Sequence, residues 1–350
     1  MTLTTPLCDL FGVDVPIVQT GMGWVAGARL VSATANAGAL GILASATMTY
    51  DQLAAAIREV KERTDKPFGV NLRADAEDAD ARVQLLIKEQ VKVASFALAP
   101  SEAQIKTLKD AGVRVVPSIG AKRHAEKVAA WGVDAVLVQG GEGGGHTGQV
   151  ATTLLLPQVV DAVDLPVIAG GGFFDGRGLV AALAYGAAGI AMGTRFLLTQ
   201  ESTVPDSVKQ YYLGRTVTDT VVTAKIDGVP HRVLRTEFVE EIDKGSPVTA
   251  YPRAAKNALA FKKISGISWK GMFESGREMK HEGNLKWSQV MLAANTPMLL
   301  RAGLVEGKLD AGVLSSGQAA GVIDDLPTVA ELVTRIVAEA EATLKRLGAL

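Results

Sequence analysis

Short, almost unbroken apolar runs alternate with longer amphipathic ones over residues 16–194. The short runs are Pro16–Gly21 (PIVQTG), Leu40–Ser45 (LGILAS), Pro67–Leu72 (PFGVNL), Val91–Leu98, Val113–Ile119 (VRVVPSI), Ala135–Val138, Pro166–Gly172 (PVIAGGG) and Gly189–Thr194 (GIAMGT). They are too short for helices and rich in Val, Ile, Leu and Ala, as suits strands buried on both faces of a parallel sheet. Helical periodicity fills the gaps, at Ala28–Ala37, Tyr50–Arg63, Glu77–Glu89, Lys122–Trp131 and Leu154–Ala162. Ser101 and Asp175 stand where N-caps belong, and Gly38, Gly112, Gly132 and Gly186 close helices. Eight strand runs joined by helical crossovers predict an α/β fold, a (β/α)8 TIM barrel, over an open doubly wound sheet.

Beyond Thr199 the rhythm breaks. Residues 203–314 carry no repeating strand–helix unit, only a strand candidate at Pro230–Val239 and helix-prone stretches at Arg253–Lys263 and Leu285–Ala302. Pro327–Leu347, with Thr328 near its start, has the pattern of a closing helix. The expected organisation is a barrel from residues 1–202 and 315–350, with 203–314 as a mostly helical, substrate-side insertion after strand eight.

Composition narrows the class. The chain has 350 residues, 48% of them hydrophobic and 37 of them glycine, which suits a parallel α/β core. A net charge of −1 provides no global field for nucleic acid or a membrane surface. Cys8 is the single cysteine, so there is neither an internal disulfide nor a cysteine-rich metal site. The start, MTLTTPLCDLFG, has no signal-peptide pattern, and no apolar run reaches the ~20 residues of a membrane span. A cytoplasmic setting is expected.

The chemistry concentrates at strand ends, where barrels of this kind keep their active residues. After strand six the chain reads QGGEGGGHTG, an amide (Gln139), a bare stretch of backbone (Gly140, Gly141, Gly143, Gly144, Gly145) and one histidine, His146. Glycines let backbone N–H groups approach a ligand closely, and a histidine there can move a proton near neutral pH. Gly143, Gly145 and Gly148 also fit G-x-G-x-x-G, but that fingerprint belongs to a first βαβ unit, not a sixth strand. After strands seven and eight, Ala169 with Gly170, Gly171 and Gly172, and Gly193 with Thr194, could cradle one phosphate, or simply make tight turns. Met22, Gly23, Asn71 and Gln139 at other strand ends are neutral groups suited to a flat heterocycle, although Asn71 equally suits a structural turn. A phosphate plus a flat ring describes a mononucleotide, and FMN is the one that brings redox chemistry. His124, His231 and His281 lie too far apart in sequence to suggest a metal site with His146; His231 and His281 could line a pocket or face solvent. Residues 253–286 hold eight basic and three acidic groups, a net +5, with Lys262, Lys263 and Arg277 among the cations. This basic stretch would attract a polyanion such as a coenzyme A thioester, or be a solvated face. Trp269, Phe273 and Trp287 could add an apolar wall or form the insertion's own core.

The motifs PIVQTGMG, FGVNL, VQGGEGGGHTG, PVIAGGGFFDGRG, IAMGTRFLLTQES and GQAAGVIDDLPTVAELV resemble the nitronate monooxygenase family, which also includes flavin-dependent enoyl-acyl-carrier-protein reductases. The resemblance covers residues 13–202 and roughly 315–345. It implies a barrel with non-covalent FMN. Met22, Gly23, Asn71 and Gln139 would lie along the flavin, Gly171, Gly172, Gly193 and Thr194 on its phosphate with Gln318 close by, and His146 would be the active-site base or substrate-orienting group. The chain departs from the family where Thr203–Val204–Pro205 replaces a histidine–proline pair, where Gly143 replaces an alanine, and in its long basic insertion. In the insertion and its flanks it is more similar to actinobacterial flavin oxidoreductases of steroid-ring catabolism that act on bicyclic coenzyme A thioesters. The expected function is an FMN-dependent, NADH-linked oxidoreductase of a small acyl-CoA-type substrate. The alternatives are nitronate oxidation by O2 and a non-catalytic phosphate-ligand-binding barrel.

Overall fold

The computed structural model describes residues 3–244 and 296–349. In chain order its strands are β1 (Ile17–Gln19), β2 (Leu40–Ala44), β3 (Gly69–Leu72), β4 (Val93–Phe96), β5 (Arg114–Ile119), β6 (Val136–Gln139), β7 (Gly145–His146), β8 (Val167–Gly170), β9 (Gly189–Met192), β10 (Thr220–Thr223) and β11 (His231–Leu234). All but β7, β10 and β11 run parallel and close into a barrel, β9 pairing back onto β1. This is the predicted (β/α)8 barrel.

The unbroken apolar runs have a physical cause. Side chains alternate along a strand, so inner and outer faces both need apolar residues when both are covered. Val18, Ile42, Val93, Val116, Leu137, Ile168 and Ala191 fill the barrel interior. Their neighbours Ile17, Leu43, Ala94, Val115, Val136, Ala169 and Ile190 join the larger cluster formed with the surrounding helices. Leu7 and Phe11 of the helix Pro6–Phe11 complete the inner cluster at the N-terminal end, where Leu7 packs against the start of β9. That end is plugged.

Local signals set the helix starts. Ser101 forms a full capping box with Gln104, and Asp175 accepts from the N–H of Gly178. Thr328 forms a second box with Glu331 at the head of the closing helix Val329–Leu347. This helix packs between Gly176–Ala184 and Ala28–Asn36, the place of the eighth helix of the ring. A Cβ at Gly176 would stand 2.3 Å from the carbonyl of Ile336, so the two helices touch backbone to backbone.

Between β9 and the closing helix lie the helices Thr194–Leu197, Asp206–Leu213, Glu237–Lys244 and Thr296–Leu304, and a 3-10 turn at Gln318–Val322. The run Pro230–Val239, read from sequence as one strand, divides: the strand ends at Leu234, and Thr236 accepts from the N–H of Val239 to start a helix. An antiparallel sheet in the order β10–β11–β7 links this hairpin to the glycine loop after β6. The helix-prone stretch Arg253–Lys263, and residues 285–295 of the second stretch, lie outside the described residues. Among the described residues no helix is long and apolar enough to cross a membrane.

Candidate active site at the C-terminal rim of the barrel

Strand register brings the predicted rim residues side by side. Gln139 on β6 stands opposite Gly170 on β8, and Gly170 opposite Ala191 on β9. On the far side Asn71 on β3 lies between Ala44 and Ser95 of the neighbouring strands. The turn after β1 connects the two halves. A Cβ at Gly21 would stand 2.5 Å from the Asn71 Cβ, and one at Gly193 would lie 3.4 Å from the Met22 sulfur. Met22 therefore reaches the β9 turn, and Gly23 faces Thr47 in the turn after β2. The Ala169 side chain packs outward in the helix-facing core, away from the rim.

The turns after β8 and β9 make a bare backbone rim. Gly171 and Gly172 have φ of +94° and +83°, which side-chain-bearing residues rarely adopt, so the turn itself demands glycine. The segment after the insertion closes over it. The Gly317 N–H donates to the Thr194 hydroxyl at 2.9 Å, and the Gln318 N–H donates to the Glu142 carbonyl at 3.0 Å. Gly144 makes this closure possible, because a Cβ there would meet the Gly317 nitrogen and the Ser316 carbonyl carbon at 2.5 Å. Gly144, Gly171, Thr194 and Gln318 thus belong to one rim.

The two amides are already engaged. The Asn71 side-chain N–H donates to Ser95 Oγ at 3.2 Å. Gln139 donates to the carbonyls of Gly144 and His146 at 3.2 and 2.9 Å, so it holds the glycine loop as well as facing the rim. A glycine floor of this kind, with a hydroxyl, a thioether and neutral amides around it, fits a flat, phosphate-bearing heterocycle.

His146 stands on β7, paired in register with His231 on β11. Arg232 clamps this pairing, its guanidinium donating twice to the Gly141 carbonyl at 3.1 and 2.8 Å. The His146 side chain is 58% exposed, and its Nε2 lies 2.7 Å from Oδ2 of Asp227, which is only 2% exposed. The same Oδ2 meets Nδ1 of buried His231 at 3.1 Å and accepts from the Thr296 hydroxyl at 2.7 Å. Nε2 of His231 lies 2.6 Å from the Ser315 hydroxyl. Burial alone would raise the Asp227 carboxyl, but the hydrogen bonds from His146 and His231 outweigh it and hold it well below the usual carboxylate range. Burial pushes His231 below the ordinary histidine value, so it stays neutral near pH 7 despite Asp227.

These three residues could geometrically surround a cation, since their ligand atoms lie within 4.8 Å of one another. The spacing argues otherwise. Ligand atoms around a tetrahedral zinc stand about 3.4 Å apart, whereas the two nitrogens lie 2.7 and 3.1 Å from the carboxylate oxygen, at hydrogen-bond distance.

Sequence reasoning singled out His146, passed over Asp227, and left His231 between pocket and solvent. The only local signal is Asp227–Gly228 followed by Pro230, a turn that opens a strand. Lys262, Lys263 and Arg277, along with His281, Trp269, Phe273 and Trp287, lie outside the described residues.

Known proteins agree with this architecture. The sequence profile of the family described as nitronate monooxygenase matches residues 4–84 and 76–339. A Mycobacterium tuberculosis protein named (3aS,4S,5R,7aS)-5-hydroxy-7a-methyl-1-oxo-octahydro-1H-indene-4-carboxyl-CoA dehydrogenase is 64% identical over 353 residues, covering 100% of this chain and 99% of its own. A Rhodococcus jostii protein of the same name is 63% identical over 349 residues, again with 100% and 99% coverage. Among solved structures, FabK from Thermotoga maritima superimposes with a TM-score of 0.83 at 34% identity, over 99% of each chain. The chain belongs to the nitronate monooxygenase family of FMN-dependent oxidoreductases.

Proposed function

We propose that this protein is a cytoplasmic dehydrogenase of a bicyclic, steroid-ring-derived coenzyme A thioester, using FMN and the NAD+/NADH couple, with His146 as acid–base. The observation that carries the reading is the exposed imidazole of His146, held on a glycine floor at the catalytic end of the barrel. The name shared by the two relatives above 60% identity supplies the substrate class.

In this reading Gly171, Gly172, Gly193 and Thr194 hold the FMN phosphate, with Gln318 nearby. Met22, Gly23, Asn71 and Gln139 border its ring. Bound FMN supplies the hydride acceptor. His146 takes the proton next to the thioester carbonyl, while the neighbouring carbon gives up a hydride, and a carbon–carbon double bond forms between them. The proton rests on the imidazole, and bound FMN with NAD+ would supply the two-electron oxidant. The thioester carbonyl acidifies the α C–H bond, which is why one neutral imidazole suffices as base. Lys262, Lys263 and Arg277 meet the coenzyme A phosphates by their charge.

The test is anaerobic mixing of the purified yellow protein with the 5-hydroxy-7a-methyl-1-oxo-octahydroindene-4-carboxyl-CoA thioester, followed by flavin absorbance. Bleaching by the thioester, recovery with NAD+, and loss of both in H146Q are the expected results. An inert thioester alongside O2-dependent consumption of propionate-3-nitronate would replace this reading with nitronate oxidation.

A further inference from the structure

Acid–base chemistry at His146 needs one ring nitrogen to exchange the proton and a partner that fixes which one. The Asp227 carboxylate answers through its partners. Oδ2 receives three groups: Nε2 of His146 at 2.7 Å, Nδ1 of His231 at 3.1 Å and the Thr296 hydroxyl at 2.7 Å. An ionised carboxylate only accepts, so all three must donate. Nε2 of His146 therefore carries a hydrogen, and so does Nδ1 of His231. His231 is 2% exposed and neutral, so its Nε2 holds a lone pair and accepts from the Ser315 hydroxyl. A neutral His146 protonated at Nε2 has its lone pair on Nδ1.

We infer that Asp227 is a positioning residue that fixes the tautomer of His146, so that Nδ1 is the atom that exchanges a proton with substrate, and that His231, Ser315 and Thr296 hold Asp227 in place. The inference rests on the acid–base role proposed for His146. The parts come from far apart in the chain. His146 belongs to the loop after β6, Asp227 and His231 to the β10–β11 hairpin, Ser315 to the returning segment and Thr296 to the head of a helix. That helix also reaches the rim, because the Trp24 indole N–H donates to the Pro297 carbonyl at 2.9 Å. Trp24 follows Gly23 directly and has φ +66°, a conformation that costs a bulky residue strain and that this contact helps to hold.

The chain has only four histidines, so a 15N-histidine-labelled holoenzyme gives a readable long-range imidazole spectrum. Recorded above pH 8, it reports which nitrogen of each neutral ring is protonated, and H146Q and H231Q assign the two signals. The expected wild-type result is Nε2–H at His146 and Nδ1–H at His231, the latter being the form that free imidazole side chains disfavour in water. His146 as Nδ1–H, or His231 as Nε2–H, would overturn the inference, and neither depends on a variant's activity. D227N should lower kcat about 100-fold, the low end of what a positioned acid–base contributes, with KM for the thioester within two-fold, and D227E should recover part of the loss. A D227N enzyme with an altered KM and wild-type kcat would overturn the positioning role. H146Q with wild-type turnover would remove the underlying acid–base reading, while the wild-type tautomers would still decide whether Asp227 sets the ring.

Discussion

Gly144→Ala is the sharpest probe of how the rim is built. The added Cβ would meet the Gly317 nitrogen and Ser316 carbonyl carbon at 2.5 Å and the Ser316 Cα at 2.9 Å. Ordinary carbon contacts settle near 3.5–4.0 Å, so the returning segment must retreat by about 1 Å. The obstacles are backbone atoms tied down by the Gly317–Thr194 and Gln318–Glu142 hydrogen bonds, so no side-chain rotation relieves the clash. Overpacking of this kind costs about 1–3 kcal/mol. The retreat pulls the N–H of Gly317 off Thr194, which the proposal places on the FMN phosphate. If the cost falls on the flavin-competent conformation, FMN binds roughly 5- to 150-fold more weakly. Quenching of flavin fluorescence on titrating apoprotein measures this directly. Gly148→Ala is the control: its nearest neighbour to an added Cβ is the Gly120 carbonyl at 3.9 Å, so FMN affinity should stay at the wild-type value. Wild-type FMN affinity in Gly144→Ala, or an equal loss in both variants, would refute the idea that the returning segment shapes the phosphate end.

Three further outcomes follow from other parts of the molecule. His231 is held neutral below its unfolded value of 6.5, so the unfolded chain binds the extra proton first as pH falls. The stabilisation from His231 is therefore present above pH 6.5 and lost on acidification, with a slope of at most about 1.4 kcal/mol per pH unit; urea unfolding at pH 7.5 and 5.5 should show a smaller pH difference in H231Q than in wild type. Thr328→Ala removes one arm of the capping box on the closing helix and should lower stability by about 1 kcal/mol without changing flavin affinity, read by urea unfolding and fluorescence titration. Charge reversal at Lys262 and Lys263 lowers the net charge of residues 253–286 from +5 to +1, and it should weaken thioester binding while leaving FMN affinity unchanged, checked by calorimetric titration of each ligand.

What the chain discloses about itself follows from how local each signal is. The barrel was legible because its strands are buried along most of their length and several of its helices carry their own caps, as at Ser101, Asp175 and Thr328. The glycine rim was legible in part, since a run of glycines after a strand announces bare backbone. The sequence does not rank those glycines, and the structure separates Gly144, required by backbone 2.5 Å away, from Gly148, which has nothing nearer than 3.9 Å. Asp227 was illegible because its importance comes from other residues: 81 positions separate it from His146, and only the pairing of β7 with β11 closes that distance. An acidic residue before a glycine in a turn is ordinary in sequence, and burial of its side chain to 2% exposure is not. The hairpin that breaks the strand–helix rhythm is therefore what completes the site. Residues that departed from the repeating pattern, and could be placed only loosely from sequence, carry the groups that hold His146 in position.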